Sequence, residues 1–158
     1  MAALSKVTTE KFNKKDKKHL QAVRYIEEHL RPIDKKELQG ACTSVTKCAI
    51  HEFCDNFLAF GEKGEPIAIY GIVKYPIDGR HAVWMVGTTE IKNYKKELIT
   101  MGFEEISRFI KEYGPITNYI SIDNNESRRW LLKAGAGFGT PFNENGITWQ
   151  QFVIGRNE

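Results

Sequence analysis

At 158 residues, 41% hydrophobic and 27% charged, the chain has the size and make-up of one globular domain with room for a real core, not of a disordered or fibrous protein. Its net charge of +3 is too small to make nucleic acid the default partner, and no apolar run approaches the roughly 20 residues of a membrane helix. The opening MAALSKVTTEKF lacks the basic-then-apolar layout of a signal peptide, so a single domain over 1–158, resident in the cytoplasm, is expected.

Val7 to Phe12 alternates weakly and fits a short edge strand. KKDKKH, Lys14 to His19, supplies four lysines at the start of a helix, with Leu20, Val23, Ile26 and Leu30 as its buried stripe. This basic run reads as a solvated helix end, with a phosphate- or partner-binding patch as the alternative. Pro32 interrupts the helix, and Asp34 is placed to cap a short one over Lys35–Gln39 that Gly40 ends. Thr43 or Ser44 caps a further helix, with Val45, Cys48, Ala49 and Phe53 inward.

From Asn56 the pattern turns to β. Phe57, Ala59 and Phe60, a turn at Gly61–Gly64 and then Ile67 to Tyr75 read as a hairpin, and Gly71 within it marks a bulge or a close backbone approach. After the turn Pro76–Gly79 comes a central strand, Ala82–Thr88. It puts Val83, Met85 and Gly87 on one face and Trp84, Val86 and Thr88 on the other. A short polar turn leads to a long helix, Asn93–Tyr113, whose apolar positions include Leu98, Phe103, Ile106, Phe109 and Ile110. Gly114-Pro115 closes it. Ile116–Asp123 is the next strand, predicted to lie parallel to the central one through a right-handed crossover. Asn124, Asn125, Glu126 and Ser127 offer caps for a helix over Arg128–Ala134. Glycines at 135, 137 and 139 hold Phe138 in a loop, and Ile147–Ile154 is a last strand. Together these predict an α+β (mixed α/β) fold with a single central sheet flanked by helices.

Few residues stand out for chemistry. Cys42, Cys48 and Cys54 are odd in number and six apart, which fits neither a disulfide framework nor a close-paired metal site. Reduced, packed thiols are expected, with a nucleophilic cysteine as the lesser reading. The histidines at 19, 29, 51 and 81 have no metal spacing, and His81 reads as a loop cap. Trp84 and Trp130 read as packing residues, and Arg128-Arg129 as an alternative phosphate contact. Where the central strand feeds the long helix, backbone N–H groups and a helix N-terminus converge on a spot that suits an anion. Glu90 is the carboxylate nearest that spot and the only candidate base; a lone Glu in a turn is ordinarily just solvated.

The central strand and long helix, followed by ISIDNNESRRWLLKAGAGF, resemble the GNAT superfamily of acyl-CoA-dependent N-acetyltransferases. LRPIDKKELQG (Arg31, Asp34, Glu37), EPIAIYGIV, VWMVGTT and IDNNESRRWLLKAGAGF more narrowly resemble the small acetyltransferase-like internal virion or head-assembly proteins of short-tailed phages. The first resemblance implies acetyl-CoA held near Val86, Gly87, Thr88, Thr89, Lys92 and Asn125. The chain departs from it, however. GNAT enzymes usually carry a glycine-rich Arg/Gln-x-x-Gly-x-Gly/Ala between strand and helix, and here stands GTTEIKNY, with one glycine. Thr88 and Thr89 hydroxyls, or Lys92, Lys95 and Lys96, are what remains to meet phosphate, and Glu90 would repel it. The superfamily's tyrosine acid falls near Leu132, which cannot donate a proton. The resemblance therefore implies a phage protein acting by protein binding, in the host cytoplasm or carried in the virion, with a phage structural or host protein as partner. A working N-acyltransferase is the alternative, and a nucleic-acid-associated protein the third reading. No cofactor beyond acetyl-CoA and no metal is implied.

Overall fold

The computed structural model describes residues 6–155; residues 1–5, where the segment read for a leader begins, and residues 156–158 lie outside the described part. In chain order the elements are β1 (Thr8–Lys11), α1 (Lys17–Glu28), α2 (Pro32–Gly40), α3 (Val45–Ile50), β2 (Cys54–Phe60), β3 (Pro66–Val73) and β4 (His81–Gly87). A 3-10 turn (Thr89–Asn93) follows, then α4 (Lys95–Tyr113), β5 (Ile116–Ser121), α5 (Asn125–Lys133), β6 (Gly137–Phe138), β7 (Phe142–Glu144) and β8 (Ile147–Ile154). One eight-stranded sheet takes the order β1-β2-β3-β4-β5-β8-β6, with β7 also paired to β8. β1 through β4 form an antiparallel meander, β4 meets β5 in parallel, and β5 pairs β8 antiparallel.

Helices cover both faces. On one, Ala22, Val23 and Ile26 of α1 and Val45 and Ala49 of α3 pack on Leu58, Phe60, Ile69 and Val86. On the other, Phe109 of α4, with half-buried Ile106 and Ile110, packs on Tyr70, Ile72, Ile116 and Ile120. Leu98 is buried beside Ile91 and Tyr94, while Lys95, Lys96, Glu104 and Lys111 face water, as the helical period predicts.

Several boundaries differ from the sequence reading, each for a local reason. Asp16, inside the basic run, caps α1 by accepting the N–H groups of Lys18 and His19. His19 rather than Leu20 turns inward there, its Nε2 meeting Glu10. α1 ends before Pro32, at Glu28, but α2 starts at Pro32 itself and not at Lys35, because a fixed φ suits the first helical position. Ser44 caps α3, and Phe53 lies outside the core against Tyr75. Gly71 is not at a bulge, since the register shift lies at Ala59/Phe60. Instead the Asn56 side chain crosses over it, and a Cβ at Gly71 would sit 1.8 Å from Asn56 Oδ1. Asn56 in turn donates to the carbonyls of Cys48 and Ala49 and accepts from Trp84 Nε1, locking α3 to the sheet. Phe138 is in a strand rather than a loop. β7 was not predicted; it returns into β8 through Asn145-Gly146, both at positive φ.

Candidate functional site

The feature that sets up a site is a split in the sheet. β4 and β5 pair only at His81–Ile116 and Ala82–Thr117 and then diverge. Beyond that point a cavity of about 600 Å³ passes between the half-sheets, reaching α2 on one face and α4 and α5 on the other. Parting two strands strands their backbone polar groups, each of which needs a new partner. Side chains supply most of them. Asn118 bridges the two edges, donating from Nδ2 to the Val83 carbonyl and accepting the Tyr119 N–H at Oδ1. Farther along, Gly87 N–H donates to Asp34 Oδ2 at 2.9 Å, and Gly87 O accepts the Arg31 N–H at 2.9 Å. Strand alternation sends Thr88 N–H toward β3, where it meets Ile67 O, and so turns Gly87 and Met85 toward the gap. Between the two bridged points, strand alternation turns the Met85 N–H and C=O to the cavity, and the residue is 44% exposed.

Apart from Asn118, the polar groups that close these edges come from one face of α2 and its N-cap. Arg31, Asp34 and Glu37 are three residues apart, so they recur on the helix side that looks at the sheet. Arg31 grips Asp34 with both arms of its guanidinium, Nε to Oδ2 at 2.8 Å and Nη2 to Oδ1 at 3.1 Å, and Asp34 is 2% exposed. Asp34 is therefore not the helix cap that its place near a helix start predicts. One turn on, Glu37 reaches the β5 side. Asn124 Nδ2 donates to its Oε1 at 2.6 Å, and the Ser121 N–H approaches its Oε2 at 3.5 Å. Burial pushes the Glu37 carboxyl up to about 7; the Asn124 hydrogen bond opposes this and the Asp34 charge adds to it. A carboxyl titrating near neutrality on a cavity wall is poised to accept a proton.

The sequence candidates fall at the other end of the central strand. Thr88 is 1% exposed and fully engaged: its Oγ1 donates to Ile67 O and accepts the Glu90 N–H. The Ile91 N–H turns back to Thr88 O, and Ile91 tucks under Gly87, so the turn winds inward as a 3-10 helix. Val86 is buried in the α1 face of the core. Thr89 and Lys92 are exposed, and half-buried Glu90 accepts from Asn93. Lys95 is paired with Glu126, which joins the starts of α4 and α5. Asn124, not Asn125, caps α5; Asn125 is exposed, and Leu132 is 63% exposed. The split gathers Arg31, Asp34, Glu37, Asn118 and Asn124, none of them foreseen as site residues. The three-residue step of Arg31, Asp34 and Glu37 was the available signal.

The remaining singled-out residues are structural in their contacts. Trp84 packs on the α1–α3 core and borders the cavity. Trp130 stacks on Phe103 at 5.3 Å over Gly102, and its Nε1 is buried without a hydrogen-bond partner among the described residues. His81 Nδ1 meets the Val73 carbonyl at 2.8 Å. The cysteines are free; Cys48 lies on the cavity wall, where burial pushes its thiol up. Among the described residues no cluster of metal-ligating side chains occurs, and no helix is long and apolar enough to cross a membrane.

An acyl-coenzyme A needs two fits, a slot for its amide-bearing arm and donors for its diphosphate. The open Met85 edge suits the first. For the second, the N–H groups of Gly87, Thr88, Glu90 and Ile91 in the strand-to-helix turn already have partners inside the protein, which leaves few donors there.

No family model matches the sequence, and no curated protein matches it. Solved structures do match in shape. The GNAT domain of PAT from S. lividans is 14% identical with a TM-score of 0.64, covering 94% of this chain and 90% of that one. A GNAT-family acetyltransferase from Bacillus anthracis is 14% identical with a TM-score of 0.64, covering 94% and 93%. The spermidine/spermine N-acetyltransferase of Vibrio cholerae is 13% identical with a TM-score of 0.60, covering 94% and 92%. With its meander, its parallel β4–α4–β5 crossover and its split sheet, the chain has the fold of the GNAT N-acetyltransferases.

Proposed function

We propose that this chain is a GNAT-fold protein that no longer works as a coenzyme A enzyme and acts by binding other proteins, in the assembly of a phage particle. The observation that carries the first half is the turn after β4, where the N–H groups of Gly87, Thr88, Glu90 and Ile91 are taken up internally and no glycine stands between Gly87 and α4. Without glycine, few conformations can turn several N–H groups toward one phosphate. Lysines near the helix start contribute only about 0.3–1 kcal/mol each when exposed. The second half rests on the sequence resemblance carried by Arg31, Asp34 and Glu37, the Trp84 strand and the Asn125–Leu131 segment. A phage structural or host protein is the expected partner, met in the host cytoplasm or inside the virion.

Calorimetry with acetyl-CoA tests this reading. A dissociation constant of roughly 0.1 mM or weaker is expected, equivalent to about 5.5 kcal/mol or less. Micromolar binding that is lost in Thr88→Ala or Lys92→Ala would overturn it.

One observation favours a second reading, an active N-acyltransferase. Glu37, pushed up to about 7 beside the open Met85 edge, is placed to take a proton from an amine attacking a thioester laid along β4. Alignment and backbone donors can sustain such a transfer without a dedicated acid. Turnover of acetyl-CoA with polyamine or peptide amines, abolished in Glu37→Gln, would establish it.

A further inference from the structure

We propose that the first turn of α2 is a built-in plug: the Asp34 carboxylate, clamped by Arg31, occupies the Gly87 N–H and so keeps acyl-coenzyme A out of the split. The proposal rests on the non-enzymatic reading above and names the contact responsible for it.

Gly87 is the last residue of β4, and its N–H and C=O point away from β3. Where β5 would have paired with them, α2 does instead. The Arg31 N–H takes Gly87 O at 2.9 Å, Asp34 Oδ2 takes Gly87 N–H at 2.9 Å, and Leu30 bridges Thr88. Both Arg31 and Asp34 border the cavity, so the pair stands in the path of a ligand and not behind it. A ligand oxygen arriving here finds an acceptor where it needs a donor. The Nε and Nη2 edge of Arg31 is turned to both Asp34 oxygens, at 2.8 and 3.1 Å, and so is not aimed at such a ligand. Glu37, one turn on, adds a second carboxyl to the same wall. Met85, two residues back along β4, has no such cover among the described residues. The plug thus acts on one point of the edge and leaves the middle of the gap open.

The test compares wild type with Arg31→Met/Asp34→Ala, which removes the pair together so that no buried charge is left alone. A second variant, Asp34→Asn, keeps an oxygen for Gly87 N–H but removes the charge. Each is titrated with acetyl-CoA by calorimetry, with thermal melts and the Gly87 amide resonance followed in parallel. The double variant should bind at least about tenfold more tightly than wild type, with Gly87 shifting on addition of ligand, while Asp34→Asn stays within about threefold of wild type. A folded double variant whose affinity matches wild type overturns the proposal. So does a double variant that fails to fold, because the contact would then be a staple of the fold and not a plug. Micromolar binding by wild type would instead overturn the non-enzymatic reading, and the plug would still be judged on the ratio between variant and wild type.

Discussion

Two points on one strand edge, Met85 and Gly87, were parted from β5 by the same divergence and met different fates. At Gly87 the first turn of α2 replaces the missing strand with a carboxylate and a backbone N–H. At Met85 no side chain among the described residues steps in, and a cavity of about 600 Å³ opens. The difference teaches that a split sheet is not by itself a binding site. Its edge groups must be left without partners, and here that holds only in the middle. α2 also ties the half-sheets to each other, with Arg31 and Asp34 on the β4 side and Glu37 on the β5–α5 side.

The largest expected effect breaks the closed point. Asp34→Ala alone leaves the nearly buried Arg31 guanidinium unpaired and should cost about 3–5 kcal/mol in denaturant melts. Arg31→Met/Asp34→Ala should cost much less than the sum of its single changes, which would mark the pair as a clamp and not two separate contacts.

A smaller effect sharpens the contrast through pH. The Glu37 carboxyl titrates at about 7 in the folded protein, above its ordinary 4.5. Between those values the native state holds a proton that the unfolded chain has released. Stability should therefore be greater on the acid side, fall as pH rises from 4.5 to 7, and fall no further above 7. Allowing for the side chain's partial exposure, the loss should be on the order of 2 kcal/mol, and Glu37→Gln should abolish this component. Melts of the two proteins at pH 5 and pH 8 that keep the same difference would contradict it.

The smallest effect is expected at the base of the split. Asn118→Ala removes both the donor to Val83 O and the acceptor for Tyr119 N–H. Water in the cavity can replace part of this, so a cost of about 1 kcal/mol is expected. A cost near zero would mean that the divergence of β4 and β5 needs no bridge.

How much of this the sequence announces depends on how local the cause is. β4, α4 and β5 are legible because Val83, Trp84 and Val86, the stripe from Leu98 to Phe109, and Ile116 and Ile120 carry their periods in consecutive residues. β7 was missed although Asn145-Gly146 is a strong hairpin signal, because Phe142, Asn143 and Glu144 are all exposed and show no alternation of burial. Asp34 reads as a cap because acidic residues near helix starts usually are. Its real partner, Gly87, lies 53 positions away, and Asn124 lies 87 positions from Glu37. The lack of glycines in the turn after β4 is plain in the sequence, but that Thr88 is sealed inside could be seen only once Ile67 was placed beside it.

The most direct test of the contrast between the two edge points is amide hydrogen exchange read at Gly87 and Met85. Exchange at Gly87 should be slower than at Met85 by at least about a hundredfold, one N–H being held by a buried carboxylate and the other open to the cavity. Both rates should be essentially unchanged by acetyl-CoA at about 5 μM, far below the expected dissociation constant. Equal protection at the two residues, or acetyl-CoA slowing exchange at Met85 at that concentration, would contradict it.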